Sequence, residues 1–327
     1  MKAVVCPEYG SLENLEWREV DEPEPGKGEV LVDVRAAGVN FPDLLLVRGQ
    51  YQARPDTPFV PGGEAAGVVA AVGPGVERVR VGDRVIAMGL VGAWAERWVV
   101  PAAATLPIPD GVSFDVAAGV AIVYGTSYYA LKQRAALREG EKLLVLGAAG
   151  GVGLATVELG KALGAKVIAA ASSPEKLDAA EAAGADLRVD YSTESLKDRV
   201  KELTAGRGVD VIYDPVGGDL TEAALRAIAW NGRHLVIGFA TGEIPKLPAN
   251  LALLKGCSIV GVFWGTWTRK DPAGSTENFR QIAHWLADGT LRPRVTPYPA
   301  ADFTDALAEI DERRVIGKVV LRFADSA

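Results

Sequence analysis

The run LVLGAAGGVGLATVELGKALGA holds the first residues whose spacing implies chemistry. Ala148, Gly150 and Gly153 occupy the first, third and sixth places of a glycine fingerprint, with Ala148 where a first glycine is usual. An apolar strand-like run precedes the glycines and a helical pattern follows. In that setting the backbone of Ala149, Gly150, Gly151 and Val152 is placed to approach a pyrophosphate. Gly153 lets helix and strand pack closely, and the helix N-terminus adds amide donors and partial positive charge. The chemistry this implies is dinucleotide binding.

The end of the next strand, KVIAAA (166–171), bears on which dinucleotide. An NAD-binding chain usually carries Asp or Glu about 20 residues past the glycines. Here the strand runs into SSPEK, so Ser172 and Ser173 replace the acid, with Lys176 one helical turn away. Two hydroxyls and an ammonium suit a 2′-phosphate, which predicts NADPH. Alternatively, Ser172 or Ser173 caps the helix starting at Pro174, with Glu175 completing a capping box. Capping leaves the missing acid unexplained.

A second stretch, FVPGGEAAG (59–67), sets two glycines beside Glu64 in apolar company. A carboxylate is costly to bury without a partner. Glu64 is therefore expected to be structural, held by hydrogen bonds or by a cation inside the fold.

The elements that position these residues fall into two patterns. Residues 1–121 read as short strands between Gly- and Pro-rich turns, as in a small barrel or sandwich, with one short helix at FPDLLLVRG where Pro42 is early and Gly49 follows the end. From residue 122 six apolar runs, KLLVLG, KVIAAA, DLRVDY, VDVIYD, HLVIGF and SIVGVFW, alternate with helical stretches, including TEAALRAIAWNG. That alternation predicts an α/β, doubly wound, six-stranded parallel sheet over 122–265. Helical TENFRQIAHWLADG and DFTDALAEIDERR, then the strand GKVVLRF, predict a return to the first domain over 266–327.

Composition narrows the partners. Among 327 residues the net charge is −7 and no basic run occurs, so no nucleic acid or anionic membrane is expected. Two cysteines and two histidines leave no cysteine-rich zinc lobe and no disulfide framework. The N-terminus MKAVVCPEYG lacks the core of a secretory signal, and no apolar segment approaches the length of a membrane span. The location expected from this is cytoplasmic.

The chain resembles the medium-chain dehydrogenase/reductases, in their zinc-independent NADPH:quinone oxidoreductase (zeta-crystallin-like) branch. The resembling stretches are AAGVNFPDLLLVRGQY, PFVPGGEAAGVVAAVGPGV, GAAGGVG, NGRHLVIGF, KLPANLALLKGCSIVGVFWG and GKVVL, spread from end to end. The resemblance implies a GroES-like β-barrel catalytic domain and an inserted Rossmann domain. It also implies a homodimer joined through the edges of the Rossmann sheets, which would put SIVGVFWG at the interface. Zinc-dependent relatives carry a cysteine within the stretch matching GVNFPD and a histidine in a GHE matching GGE. Asn40 and Gly63 stand in those places, so no metal is expected.

Without a metal to stabilise an alkoxide, acceptors that take hydride easily are expected, namely quinones or conjugated enones. The resemblance puts Asn40 and Asp43 at the nicotinamide and its ribose, with Thr126 close by. Tyr51 matches a cleft tyrosine suited to hydrogen-bond the acceptor oxygen; packing at the barrel rim is the alternative. Gly238, Phe239 and Ala240, and Phe263, Trp264 and Gly265, lie at strand ends where a cofactor rests, unless the aromatics are core. Tyr191 follows the third strand on the adenine side. Lys318 matches a position near the cofactor phosphates, or is a surface lysine. The expected activity is NADPH-dependent quinone reduction; the alternatives are reduction of an activated C=C bond in an enone or enoyl thioester, or NADPH binding without turnover.

Overall fold

The computed structural model describes residues 1–323. The chain divides into two compact units, one formed by residues 1–122 with the chain from Pro293 onward, the other by Val123–Arg292.

In the first unit a seven-stranded sheet wraps around an apolar core. Its central strand, Glu29–Val39, lies between Lys318–Arg322 and Glu64–Val72, antiparallel to both. Arg84–Met88 and Thr105–Pro107 extend the sheet beyond Glu64–Val72, and Val295–Pro299 extends it beyond Lys318–Arg322. Arg97–Pro101 pairs with the other end of the central strand. Inward residues such as Val32, Val34, Val69, Val85, Trp94 and Leu321 pack together and set which face is buried. The helix Phe41–Val47 starts with Pro42 in its first turn and is followed by Gly49 at φ +67°, the left-handed turn glycine favours.

Register in this sheet decides what meets at its end. Val319 lies opposite Val39 and Val320 opposite Gly38, so Lys318 arrives beside Asn40. On the other side Ala65 lies opposite Ala37, which brings Glu64 beside Gly38. A Cβ at Gly38 would lie 2.4 Å from Glu64 Oε1 and 2.6 Å from the Ala118 carbonyl. The missing side chain is the gap through which Glu64 crosses the central strand.

The second unit is the six-stranded parallel sheet. Its order is Leu187–Asp190, Lys166–Ala171, Lys142–Leu146, Val209–Asp214, Ile228–Val236, Ser258–Gly261. All six expected strands are present. The chain leaves the third strand in this order, the first in sequence, toward both edges in turn, which makes a switch point between Lys142–Leu146 and Val209–Asp214.

Two expectations need correction. The helical reading of TEAALRAIAWNG runs too far: the helix stops at Arg226, and Ile228–Val236 is strand. A register shift after Val209 and a left-handed Asn231 (φ +59°) absorb the irregular start of that strand. Residues 266–292 belong with the second unit rather than the first. Trp267 stacks on Tyr129 with centroids 4.3 Å apart, Trp285 packs edge-on to Tyr128, and Asn278 bonds Gln133. Aromatic burial fixes that helical hairpin, a signal that strand counting does not see.

Replacing Gly38 with Ala forces Glu64 or the Ala118 backbone aside, and should lower unfolding stability by about 2 kcal/mol or more. Chemical denaturation measures it; an unchanged midpoint would show that the gap is not needed.

Candidate functional site

The predicted site residues gather in two clusters, one in each unit. In the second unit Gly147, at φ +58°, ends the first strand, and the Ala148 amide donates to Ala170 O at 3.0 Å, tying the loop to its neighbour strand. The helix Gly151–Ala162 begins with Gly150 as its N-cap. A Cβ on Gly153 would stand 2.2 Å from Gly147 O, so only glycine allows helix and loop this close. Gly150 is different: its backbone is open to any residue, and the nearest atom to an added Cβ is 3.6 Å away. What its missing side chain leaves is open space over the first helical amides, which have no intrahelical acceptors. A pyrophosphate fits that cradle.

Beside it, strand Lys166–Ala171 ends at exposed Ser172 and at Ser173, whose Oγ accepts from the Lys176 amide at 3.4 Å. Ser173 is thus the helix cap, and its O–H is still available as a donor. The Tyr191 amide donates to Ala171 O at 3.1 Å, which brings Tyr191 to the same strand end.

At the switch point the structure adds a residue missed in the sequence. Asp214 closes strand Val209–Asp214 and is buried, accepting from the amides of Val216 (2.9 Å) and Gly217 (3.0 Å), from Thr221 Oγ1 (2.6 Å) and from His234 Nε2 (3.1 Å). Burial alone would raise its carboxyl, but the His234 and Thr221 bonds outweigh that and hold it below the usual carboxylate range. These bonds shape the turn through Gly217 and Gly218, both in left-handed backbone. The following strand end is tied to the same turn by Gly238 to Asp214 O (3.4 Å) and Ala240 to Pro215 O (3.0 Å), with Phe239 half-buried between them. An acid ending an apolar strand, VDVIYD, was the available signal.

Thr126 lies on the helix Ala121–Tyr129. Its neighbour Gly125 has no room for a Cβ, which would meet the Trp264 ring at 2.7 Å. Trp264, edge-on to Phe279, is therefore brought against Gly125, the residue before Thr126. Phe263 is 58% exposed and is not a core aromatic; Gly265 is exposed beside it. Also unforeseen is a buried hydroxyl cluster, Ser127 with Tyr213 (2.9 Å) and Thr156 (3.0 Å), under the first turn of the helix Gly151–Ala162.

In the first unit Asn40, Asp43, Glu64 and Lys318 meet, all buried. Lys318 Nζ lies 2.8 Å from Glu64 Oε1, donates to Val39 O at 2.8 Å, and donates to Asn40 Oδ1. Asn40 Nδ2 donates to Glu64 Oε1 at 2.9 Å, and the Ile122 amide donates to Glu64 Oε2 at 2.8 Å. Glu64 is held by both hydrogen bonds and a cation. Lys318 is neither a surface lysine nor a phosphate ligand: all three of its protons have acceptors inside the barrel.

Asp43 Oδ2 accepts from the Asn40 amide at 2.8 Å. Burial raises the Asp43 carboxyl to about 7, against the opposing pull of Lys318 and Asn40. Tyr51 packs half-buried on the barrel core, its phenol pushed up by burial and then by the Asp43 charge, so it stays protonated at neutral pH.

The comparisons agree with this architecture. Residues 26–110 match the alcohol dehydrogenase GroES-like domain, and residues 151–288 match the zinc-binding dehydrogenase model. The chain is 42% identical to a quinone oxidoreductase-like protein 2 homolog of Nematostella vectensis, over 98% of this chain and 88% of that protein. A mycobacterial protein complexed with NADPH superposes with a TM-score of 0.91 at 33% identity, covering 99% of this chain and 100% of that one. Escherichia coli quinone oxidoreductase complexed with NADPH superposes with a TM-score of 0.91 at 29% identity, at the same coverages. The chain belongs to the medium-chain dehydrogenase/reductase family, in its quinone oxidoreductase type.

The donors present do not fit the zinc that one family label names. Gly63 offers no side chain, Asn40 Oδ1 accepts from an ammonium, and both Glu64 oxygens are taken. Among the described residues no three His, Cys, Asp or Glu side chains gather as a ligand set.

Because Asp43 titrates near 7 in the fold against 3.8 for the free group, the native state binds a proton that the unfolded chain has released between those values. Its contribution to stability is full at low pH and is lost as pH rises toward 7. Asp43→Asn should remove that loss, so the melting temperature of the variant relative to wild type climbs from about pH 5 to pH 7 and then levels. Parallel melting profiles across that range would refute the assignment.

Proposed function

We propose that the chain is an NADPH-dependent reductase that delivers hydride to a quinone without a metal. The observation that carries this reading is the barrel-end cluster, in which Asn40, Glu64 and Lys318 bond one another and Gly63 has no side chain to offer a metal. NADPH would supply the hydride, and the remaining work belongs to the protein. The backbone of Ala149–Val152 receives the pyrophosphate. Ser172, Ser173 and Lys176 receive the 2′-phosphate, which is supported by the absence of an acid at that strand end. Tyr191 covers the adenine side. Gly238–Ala240, Phe263–Gly265 and Thr126 line the nicotinamide side from strand and helix ends. Asn40 and Asp43 approach the nicotinamide ribose, and Tyr51, a protonated phenol, hydrogen-bonds the acceptor oxygen. Quinones suit such a site because the arriving electron pair is stabilised on the acceptor's own oxygens. A proton from solvent completes the hydroquinone.

The assay is NADPH consumption with an ortho-quinone, a para-quinone, a simple enone and an enoyl-CoA. Quinones should be reduced fastest, with NADPH preferred over NADH by about tenfold or more, and Lys176→Ala should erase most of that preference. Tyr51→Phe should lower kcat. Enone or enoyl-CoA turnover exceeding that of both quinones would replace the quinone reading, and tight NADPH binding without any turnover would leave a binding protein.

We also propose a homodimer through the edge strand Ser258–Gly261. That strand ends the sheet, and Trp230, Leu253, Leu254 and Ile259 lie exposed around it. Ile259→Lys with Leu253→Asp should give a monomer by light scattering; wild type running as a monomer would dismiss the interface. No helix among the described residues is long and apolar enough to cross a membrane.

A further inference from the structure

Glu64 and Lys318 are buried and wholly engaged, yet hydride delivery assigns them nothing. A buried ion pair is also a poor source of stability, since apolar residues of similar volume do as well or better. The pair does act on one neighbour. Asn40 Nδ2 donates to the Glu64 carboxylate, and Asn40 Oδ1 accepts from the Lys318 ammonium. A carboxamide is nearly symmetric in shape, so packing alone barely distinguishes its two flips. Charge distinguishes them here. Turned by 180°, the amide would aim its oxygen at the carboxylate and its NH2 group at the ammonium. The Asn40 backbone is held as well, by Asp43 through its amide and by Lys318 through the preceding carbonyl. One Nδ2 hydrogen is therefore spent on Glu64, and the NH2 group also faces the Asp43 carboxyl, which it bonds.

We propose that Glu64 and Lys318 are positioning residues, a fixed-charge clamp that holds the Asn40 carboxamide in one flip, its NH2 group toward Glu64 and its oxygen toward Lys318. This rests on the reading above that Asn40 stands at the nicotinamide end. It makes the ion pair part of catalysis through Asn40, with no contact of its own to the acceptor.

The test compares wild type, Asn40→Ala, the double variant Glu64→Gln/Lys318→Met, and the triple variant that combines all three. Para-quinone reduction is followed at saturating NADPH, and NADPH affinity by fluorescence. The double variant should lose about tenfold or more in kcat while NADPH affinity stays within about twofold, because the Asn40 carboxamide is misplaced and not the cofactor. In the Asn40→Ala background the same two changes should cost nothing further. A second readout needs no turnover: the Asn40 side-chain NH2 resonances, identified by their loss in Asn40→Ala, should be one sharp pair in wild type and broadened or doubled in the double variant.

Native kcat together with a single sharp pair in the double variant would overturn the clamp. So would an equal further loss of kcat in the Asn40→Ala background. If Asn40→Ala itself turns over like wild type, the placement of Asn40 at the nicotinamide end fails, and the NMR signal alone still decides whether the clamp exists. Should the neutral double variant fail to fold, the exchanged pair Glu64→Lys/Lys318→Glu keeps both charges. It should favour the opposite flip and lower kcat; full kcat there would equally overturn the proposal.

Discussion

The barrel unit turns on a lysine and a glutamate that have been taken out of water. Lys318 and Glu64 come from strands on either side of Glu29–Val39, and each is costly to bury alone. They reach one another because the residue between them is Gly38, whose missing side chain is the passage for the Glu64 carboxylate. Everything at that end of the sheet is then arranged around the pair. The Val39 carbonyl, the Asn40 amide and the Ile122 amide supply the bonds that leave neither charge unsatisfied. Asp43, close enough to feel both charges, holds the Asn40 backbone at the start of its helix.

The parallel-sheet unit solves a related problem at the switch point of its sheet. Asp214 is buried at a strand end, and it is satisfied by two backbone amides, a hydroxyl and an imidazole. Those bonds fix the turn that carries the next strand end. Gly153 does the complementary work by omission, letting helix and loop touch where any Cβ would collide. One carboxylate and one glycine set the backbone on two sides of the same crevice, and backbone amides are what a pyrophosphate needs.

Family membership defines this framework without defining its chemistry. This barrel end holds a buried ammonium, Lys318. A Cys or His at 40 and 63 would present lone pairs to a cation. Asn40 and Gly63 do not, and Lys318 brings the positive charge on a side chain. Such a charge balances Glu64 but offers no open coordination position.

Local signals in the sequence were enough for the parallel sheet, the glycine loop, the absent acid at Ser172 and the short helix between Pro42 and Gly49. Each depends on periodicity or on a few adjacent residues, so chain order preserves it. The extent of TEAALRAIAWNG was misjudged because Ile228–Trp230 sits equally well in a helix or a strand, and pairing with Val209–Asp214 decides between them. The residues 266–292 were misplaced because ring stacking on Tyr128 and Tyr129 joins positions more than a hundred residues apart. Glu64 was recognisable as needing a partner, since a carboxylate among apolar residues cannot stand alone. That its partner is Lys318, and that Asn40 is locked between them, is a matter of register across three strands. Register is a property of paired backbones, and only the folded chain brings residues 40, 64 and 318 to one place.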